Sequence, residues 1–348
     1  MPAAMRALAA VHLALALSST CGVAPPPTAE YREAYDRAAR AEREDHPAKA
    51  ASTYAEAADR ASRPRFRWQA AYRQARELEK AGERAAALRL YLSIAEQDPE
   101  GEMAPRCIYY AARMAHEDGD LETALSRLRQ VIVTYPENGI APQAVRRAVQ
   151  WLEDERQQER AMELLGQLAE QMSGTDIGDN LIYHAALLDE RRGRWQAALQ
   201  LYERQVELYP YPGSTLYDDA LWRAGNLARG HGEAERALGY LERLVSQRDE
   251  SWGTGSYYTE WTDDAQLLIG RILLEDLDAP ARAARAFETL ATFPDSTLAD
   301  DGLYWASRAY LANGEGQRSC SALLRLLTRF PYSNHQRQAR ATVGEQGC

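Results

Sequence analysis

The sequence predicts an all-α chain: a solenoid of about eight helix–turn–helix repeats closed by a C-terminal capping helix. Three observations carry that expectation. First, stop residues recur at a near-fixed spacing. Pro99 and Pro136 are 37 residues apart, as are Pro294 and Pro331, and Pro136 to Pro210 is twice that. A fixed period of this size marks stacked supersecondary units. Second, each stop is preceded at fixed offsets by the same residue types. Pro210 has Ala198 at minus 12, Gly193 at minus 17 and Ala186 at minus 24, and Pro99 has Ala87, Gly82 and Ala75. Third, residues 176–210 read as two amphipathic helices joined at Gly193.

Each offset has a physical reason. Small residues at minus 24 and minus 12 let two helices approach closely. Glycine at minus 17 supplies the left-handed conformation that ends the first helix. Proline at zero cannot continue the second helix. Tyr91, Leu128, Tyr202, Leu241 and Leu323, all at minus 8, place an apolar knob on the buried face. Tyr135, Tyr209, Phe293 and Phe330 stand directly before a proline and are expected to plug the seam to the next unit.

Ala186, Ala198 and Pro210 match in order the small residue, alanine and proline of the tetratricopeptide repeat, which the sequence resembles from about residue 25 to 348. That resemblance implies a right-handed superhelix whose first helices line a concave groove. The period of 37 exceeds the 34 residues usual in the family. The longer form resembles the repeats of periplasmic outer-membrane lipoproteins of the β-barrel assembly and Tol-Pal coordinator type.

In chain order, repeats are expected to end near residues 62, 99, 136, 173, 210, 249, 294 and 331, with a cap over 332–348. Repeat one reads as helices over 31–44 and 47–62. Repeat four is the most worn, with Val149 and Arg156 where a small and a turn residue belong. Repeat seven replaces the turn glycine with Asp278-Ala279-Pro280, and Pro280 suits a first helical position. The terminal helix is expected near 334–343.

The N-terminus reads as a targeting signal. One positive charge, Arg6, precedes an apolar run over residues 7–17, then Ser18-Ser19-Thr20-Cys21. The run is too short to span a bilayer as a helix and fits a signal-peptide core. It resembles a bacterial lipoprotein signal, with residues 1–20 removed and Cys21 lipidated, although Thr20 stands where that family usually has Gly, Ala or Ser. Gly22 after the cysteine implies outer-membrane sorting by the same resemblance; secretion without a lipid is the alternative. Residues 21–28, with Pro25, Pro26 and Pro27, read as a stiff tether.

An oxidising compartment permits disulfides. Cys320 starts the second helix of the last repeat and Cys348 ends the sequence after a helix expected to fold back, so a Cys320–Cys348 disulfide is expected. Cys107, inside a first helix, reads as inert core.

Formal net charge is −10, which argues against nucleic acid and against electrostatic capture by anionic lipid. The resemblance implies that positions minus 27 and minus 23 face the groove. The minus 27 column reads Tyr35, Tyr72, Tyr109, Arg146, Tyr183, Trp222, Leu267 and Tyr304. The minus 23 column reads Ala39, Arg76, Arg113, Gln150, Leu187, Asn226, Arg271 and Arg308. Tyr72, Arg76, Tyr109, Arg113, Tyr183, Trp222, Arg271, Tyr304 and Arg308 are therefore candidates for partner binding. Tyrosine at minus 27 also serves packing alone. The arginines suit a partner with carboxylates, an acidic segment or a peptide C-terminus, or they pair with acids of the chain itself such as Glu79 and Glu190. The spacing between repeats six and seven is ten residues too long. The excess falls at residues 250–262, where Trp252, Tyr257, Tyr258 and Trp261 form either a contact loop or a flap folded back on the repeats.

No metal set, nucleophile motif or phosphate loop is present: there is no HExxH, GxSxG or GxxxxGK[ST], and the six histidines are scattered. No cofactor is expected. The sequence thus points to a non-catalytic interaction scaffold in the cell envelope that binds partner proteins or peptides, in outer-membrane assembly or cell-wall and division coordination. The other reading is an accessory solenoid of a lytic transglycosylase-like, peptidoglycan-processing system.

Overall fold

The computed structural model describes residues 26–246, 260–293 and 296–348, and every regular element among them is helical. The chain divides into two compact units, Met1–Val131 and Ile132–Cys348. The first contains hairpins α1 (Ala29–Arg43) with α2 (Pro47–Asp59) and α3 (Pro64–Lys80) with α4 (Arg84–Gln97). It also holds α5 (Ala104–Glu117) and most of α6 (Leu121–Thr134). The second contains five hairpins: α7 (Ala141–Asp154) with α8 (Gln158–Gln171), α9 (Asp176–Arg191) with α10 (Trp195–Leu208), α11 (Tyr217–Gly230) with α12 (Ala234–Ser246), α13 (Thr262–Arg271) with α14 (Pro280–Leu290), and α15 (Ala299–Ala312) with α16 (Gly316–Arg329). It ends in α17 (Gln336–Gln346), the cap. The expected cap at 334–343 lies two to three residues too early. Among the described residues no helix is long and apolar enough to cross a membrane.

The turn glycines behave as their position requires. Gly82, Gly119, Gly193, Gly232 and Gly314 have φ of +71° to +84°, and the next residue's N–H returns to a carbonyl five positions back, as in Glu83 to Leu78 at 2.8 Å. Repeats one, four and seven reach the same left-handed bend without glycine, at Asp45, Arg156 and Asp278. In repeat seven the first helix finishes in a π turn, Ile272–Asp276. The closing bond therefore spans one more residue, from Ala279 to Leu273 at 2.7 Å. That extra residue shifts the repeat's second half, so Phe287 rather than Ala286 becomes the knob.

The small positions do what close approach demands. Ala75, Ala87, Ala112, Ala124, Ala186 and Ala198 are fully buried. A Cβ on Gly225 would meet the Leu241 side chain at 2.8 Å, and one on Gly270 would collide with the Phe287 ring. In the last repeat Ser307 and Ser319 replace the two small apolar residues, and their buried hydroxyls bond each other at 2.9 Å. Within the first unit the core gathers Tyr31, Trp68, Tyr72, Tyr91 and Ile94. Within the second it runs through Tyr202, Leu241, Ile269 and Phe287.

One seam aromatic departs from expectation. Tyr209 does not reach forward. Its hydroxyl accepts the Gly174 N–H at 3.2 Å, and a Cβ on Gly178 would collide with that hydroxyl, so the ring closes the start of its own repeat. Phe330 does reach forward, packing with Ala339 and Val343 of the cap.

Candidate functional site

The minus 27 aromatics are mostly packing residues. Tyr72, Tyr183 and Tyr304 are only 7–8% exposed, while Tyr35, Tyr109, Trp222 and Leu267 are half-buried and Arg146 is exposed. The reason lies at minus 8. Tyr35 meets Tyr54 at 5.2 Å between ring centroids, Tyr72 meets Tyr91 at 6.3 Å, and Tyr183 meets Tyr202 at 5.9 Å. A ring one turn before the close-approach residue leans onto the second helix's knob, leaving little of it for a partner.

The knob tyrosines need an acceptor for their hydroxyls, and a glutamate 12 residues earlier supplies it. Tyr54 donates to Glu42 at 2.6 Å, Tyr91 to Glu79 at 3.3 Å, and Tyr202 to Glu190 at 2.7 Å. Burial, then this bond, pushes the Tyr54 and Tyr202 phenols far above their usual range. An arginine of the following repeat then closes on each carboxylate: Arg73 on Glu42 at 3.2 Å, Arg113 on Glu79, and Arg223 on Glu190 at 3.4 Å. Where the knob is Leu128, Leu241 or Leu323, the position 12 residues earlier is His116, Arg229 or Leu311. This pairing was legible in the sequence as a tyrosine–glutamate coincidence, and reading the columns singly missed it.

The four arginines of the minus 23 column fall into two like arrangements, one in each unit. In the first, the guanidinium carbons of Arg76 and Arg113 lie 4.8 and 5.0 Å from the centre of the Tyr110 ring. In the second, Arg271 and Arg308 lie 5.5 and 5.7 Å from the centre of the Trp305 ring. The shared aromatic stands at minus 26, next to the column singled out from sequence; the doublets Tyr109-Tyr110 and Tyr304-Trp305 were the available signal. In each arrangement one arginine is neutralised within the chain. Arg113 pairs with Glu79 and Glu117, and Arg271 with Glu275 at 3.1 Å. The other is not. Arg76 bonds the hydroxyls of Tyr110 at 3.0 Å and Tyr72 at 3.4 Å, Arg308 approaches the Tyr304 hydroxyl at 3.5 Å, and among the described residues neither has a carboxylate partner. A guanidinium laid on a ring and bonded to phenols keeps donors for an incoming anion. The rest of the column contributes no cation: Gln150 and Asn226 are exposed, Leu187 and Ala39 half-buried.

Of the four loop aromatics, Trp261 lies against the repeats. It stacks on Trp222 at 5.1 Å and its indole N–H donates to Asp219 at 3.1 Å. Trp252, Tyr257 and Tyr258 lie outside the described residues, as does Cys21. Cys320 and Cys348 are joined in a disulfide, Cα atoms 5.8 Å apart, fastening the cap to α16. Cys107 is free and buried, and burial pushes its thiol up to about 12, which leaves it unreactive. Among the described residues no group of three or more His, Cys, Asp or Glu could hold a metal ion.

Two stretches, residues 106–138 and 219–251, match the family model of the tetratricopeptide repeat. They coincide with hairpins α5–α6 and α11–α12, so the family pattern and the proline ruler select the same units. Similar solved structures include a tetratricopeptide repeat protein from Parabacteroides merdae, at 13% identity over 84% of this chain and 99% of that one, TM-score 0.36. Another is the C-terminal part of a TPR repeat-containing protein from Cytophaga hutchinsonii, at 14% identity over 77% and 98%, TM-score 0.46. No curated protein matches the chain.

Proposed function

We propose that the protein is a non-catalytic docking scaffold that takes acidic segments of partner proteins on the first helices of its repeats. The observation that carries this reading is the pair Arg76 and Arg308, each laid on an aromatic ring beside a second arginine and lacking an internal carboxylate. In a chain of net charge −10, half-buried Arg76 and exposed Arg308 stand out as cations that form no ion pair of their own. Arginine and aromatic side chains are also the residues that dominate binding energetics at interfaces. The direct test is fluorescence anisotropy with a labelled peptide carrying three aspartates, against Arg76→Glu and Arg308→Glu. Loss of binding in both supports the reading; equal affinity in wild type and variants ends it.

The same proposal places the scaffold at the periplasmic face of an outer membrane, held by a lipid on Cys21. The support is the charge, apolar run and cysteine of residues 1–21, with the Cys320–Cys348 disulfide fitting an oxidising compartment. Labelling with a palmitate analogue reads this out: wild type should carry label and Cys21→Ser none, whereas an unlabelled wild type removes the anchor. Crosslinking in intact envelopes then identifies the partner proteins.

A further inference from the structure

Beside Arg308 the last repeat and the cap enclose a groove of about 500 Å³. One wall is a single stripe of α15, Tyr304, Arg308 and Leu311; the other is a single stripe of α17, Gln338, Thr342 and Glu345. Two ties set these helices side by side and pointing the same way. At their starts the Tyr304 ring stacks on His335 at 4.1 Å, and His335 meets Asp301 at 2.8 Å. At the far end the Cys320–Cys348 disulfide joins the end of α17 to the beginning of α16, just past the end of α15. Arg308 stands four residues beyond Tyr304, and Glu345 ten beyond His335. At 1.5 Å rise per residue the two charges are therefore about 9 Å apart along the groove. They form no ion pair with each other, and among the described residues neither has another partner of opposite charge. Between them lies Leu311, 41% exposed and one of four large apolar side chains left open to solvent among the described residues. The groove thus has a positive end, an apolar middle and a negative end.

We propose that this groove takes an extended partner segment carrying an acidic and a basic residue three positions apart, with apolar residues between them. The inference rests on the docking reading for its acidic end and adds the rest of the motif. In an extended polyproline-type segment, residues three apart lie on the same side and about 9 Å apart, which matches the separation of Arg308 and Glu345. The carboxylate meets Arg308, which already lies on the Trp305 ring with the Tyr304 hydroxyl beside it. The apolar side chains cover Leu311, which removes exposed apolar surface from water. The cation meets Glu345, and a second carboxylate there would be repelled, so the far end selects against runs of acid. The cap is then a wall of the site as well as the end of the solenoid, and the disulfide holds that wall in place before the ligand arrives.

The test measures anisotropy of fluorescein-labelled peptides, flanked by alanines, on the full chain. The core Asp-Leu-Leu-Lys should bind at least threefold tighter than Asp-Leu-Leu-Asp, and tighter than Asp-Lys-Leu-Leu, which has the same composition in the wrong spacing. Glu345→Gln should bring the first two peptides to within about twofold of each other, because only the far-end charge separates them. Leu311→Asn should weaken Asp-Leu-Leu-Lys at least threefold and leave Asp-Ala-Ala-Lys unchanged. Thr342→Trp, which fills the groove from the cap side, should abolish the preference for the spaced peptide. Leu311 and Glu345 are exposed, so their variants should keep the wild-type thermal midpoint. If binding depends on Arg308 but the peptides rank alike, or if Glu345→Gln and Leu311→Asn change nothing, the motif is wrong while the docking of acidic segments stands. If Arg308→Glu leaves every peptide unaffected, both readings fall.

Discussion

The Tyr202 hydroxyl donates to the Glu190 carboxylate at 2.7 Å, and Arg223 of the next repeat closes on the same group at 3.4 Å. One fully buried phenol thus joins the two helices of its own hairpin and the first helix of the following one. Tyr202→Phe keeps the ring and removes only the donor. It should lower stability by about 1–2 kcal/mol, since a partly buried charged acceptor loses its bond. A urea midpoint unchanged from wild type would mean that water replaces the phenol without loss.

Acid should weaken the second unit through His184. Burial, then the Arg146 and Arg191 charges, pushes His184 down to about 4, against a usual value near 6.5. The folded state therefore refuses a proton that the unfolded state accepts. Stability is fully present above about pH 6.5 and declines as pH falls from there toward 4. His184→Gln should flatten that part of the stability–pH curve. An NMR titration placing His184 near 6.5 in the folded protein would contradict this.

Glycines in helices should respond in opposite directions to the same change. Gly270→Ala sets a methyl group against the Phe287 ring and should cost about 1–3 kcal/mol through overpacking. Gly166, inside α8, has nothing within 4 Å of an added Cβ, so Gly166→Ala should stabilise by up to about 1 kcal/mol. Thermal melts of the two variants compare them directly, and equal shifts would remove the packing argument.

Reducing the Cys320–Cys348 bond should loosen the cap first. The bond closes a loop over a sequence separation of 28 residues, for which roughly 3 kcal/mol is expected. Only Ala339 of α17 is fully buried, and the other ties, from His335 to Asp301 and from Gln336 to the Leu327 and Phe330 carbonyls, hold its N-terminal end, so the bond at Cys348 fastens the far end. Amide exchange in α17 should speed markedly in Cys348→Ser while α9 and α10 change little. Uniform exchange in both proteins would show that apolar packing alone seats the cap.

Much of the scaffold could be read from residue types at fixed offsets, because the forces involved are local. Gly193 ends α9 by its own left-handed backbone, and Ala186 and Ala198 permit close approach whatever their neighbours are. Even worn repeat four folds as a hairpin, with Arg156 taking the bend at φ +57°. The candidate site was less legible. Tyr72 and Arg76 stand four residues apart on one helix, and the pattern treats them as equal members of a groove. The fold buries the first against Tyr91 and lays the second on Tyr110.

By itself the sequence determined the hairpins, their turns and stops, and the pairing of Cys320 with Cys348. Those features depend on backbone freedom and on side-chain volume within one unit or its immediate neighbour. Tertiary structure alone decided which arginines are neutralised. Arg76 and Arg113 hold the same position in successive repeats, yet Arg113 forms an ion pair with Glu79, 34 residues earlier, whereas Arg76 bonds two phenols and acts on Glu42 only from beyond ion-pair distance. A charge's partner is set by how a neighbouring helix is rotated and how far its side chains reach. A few ångströms there separate an ion pair from a free guanidinium, and no periodicity within one helix encodes that distance.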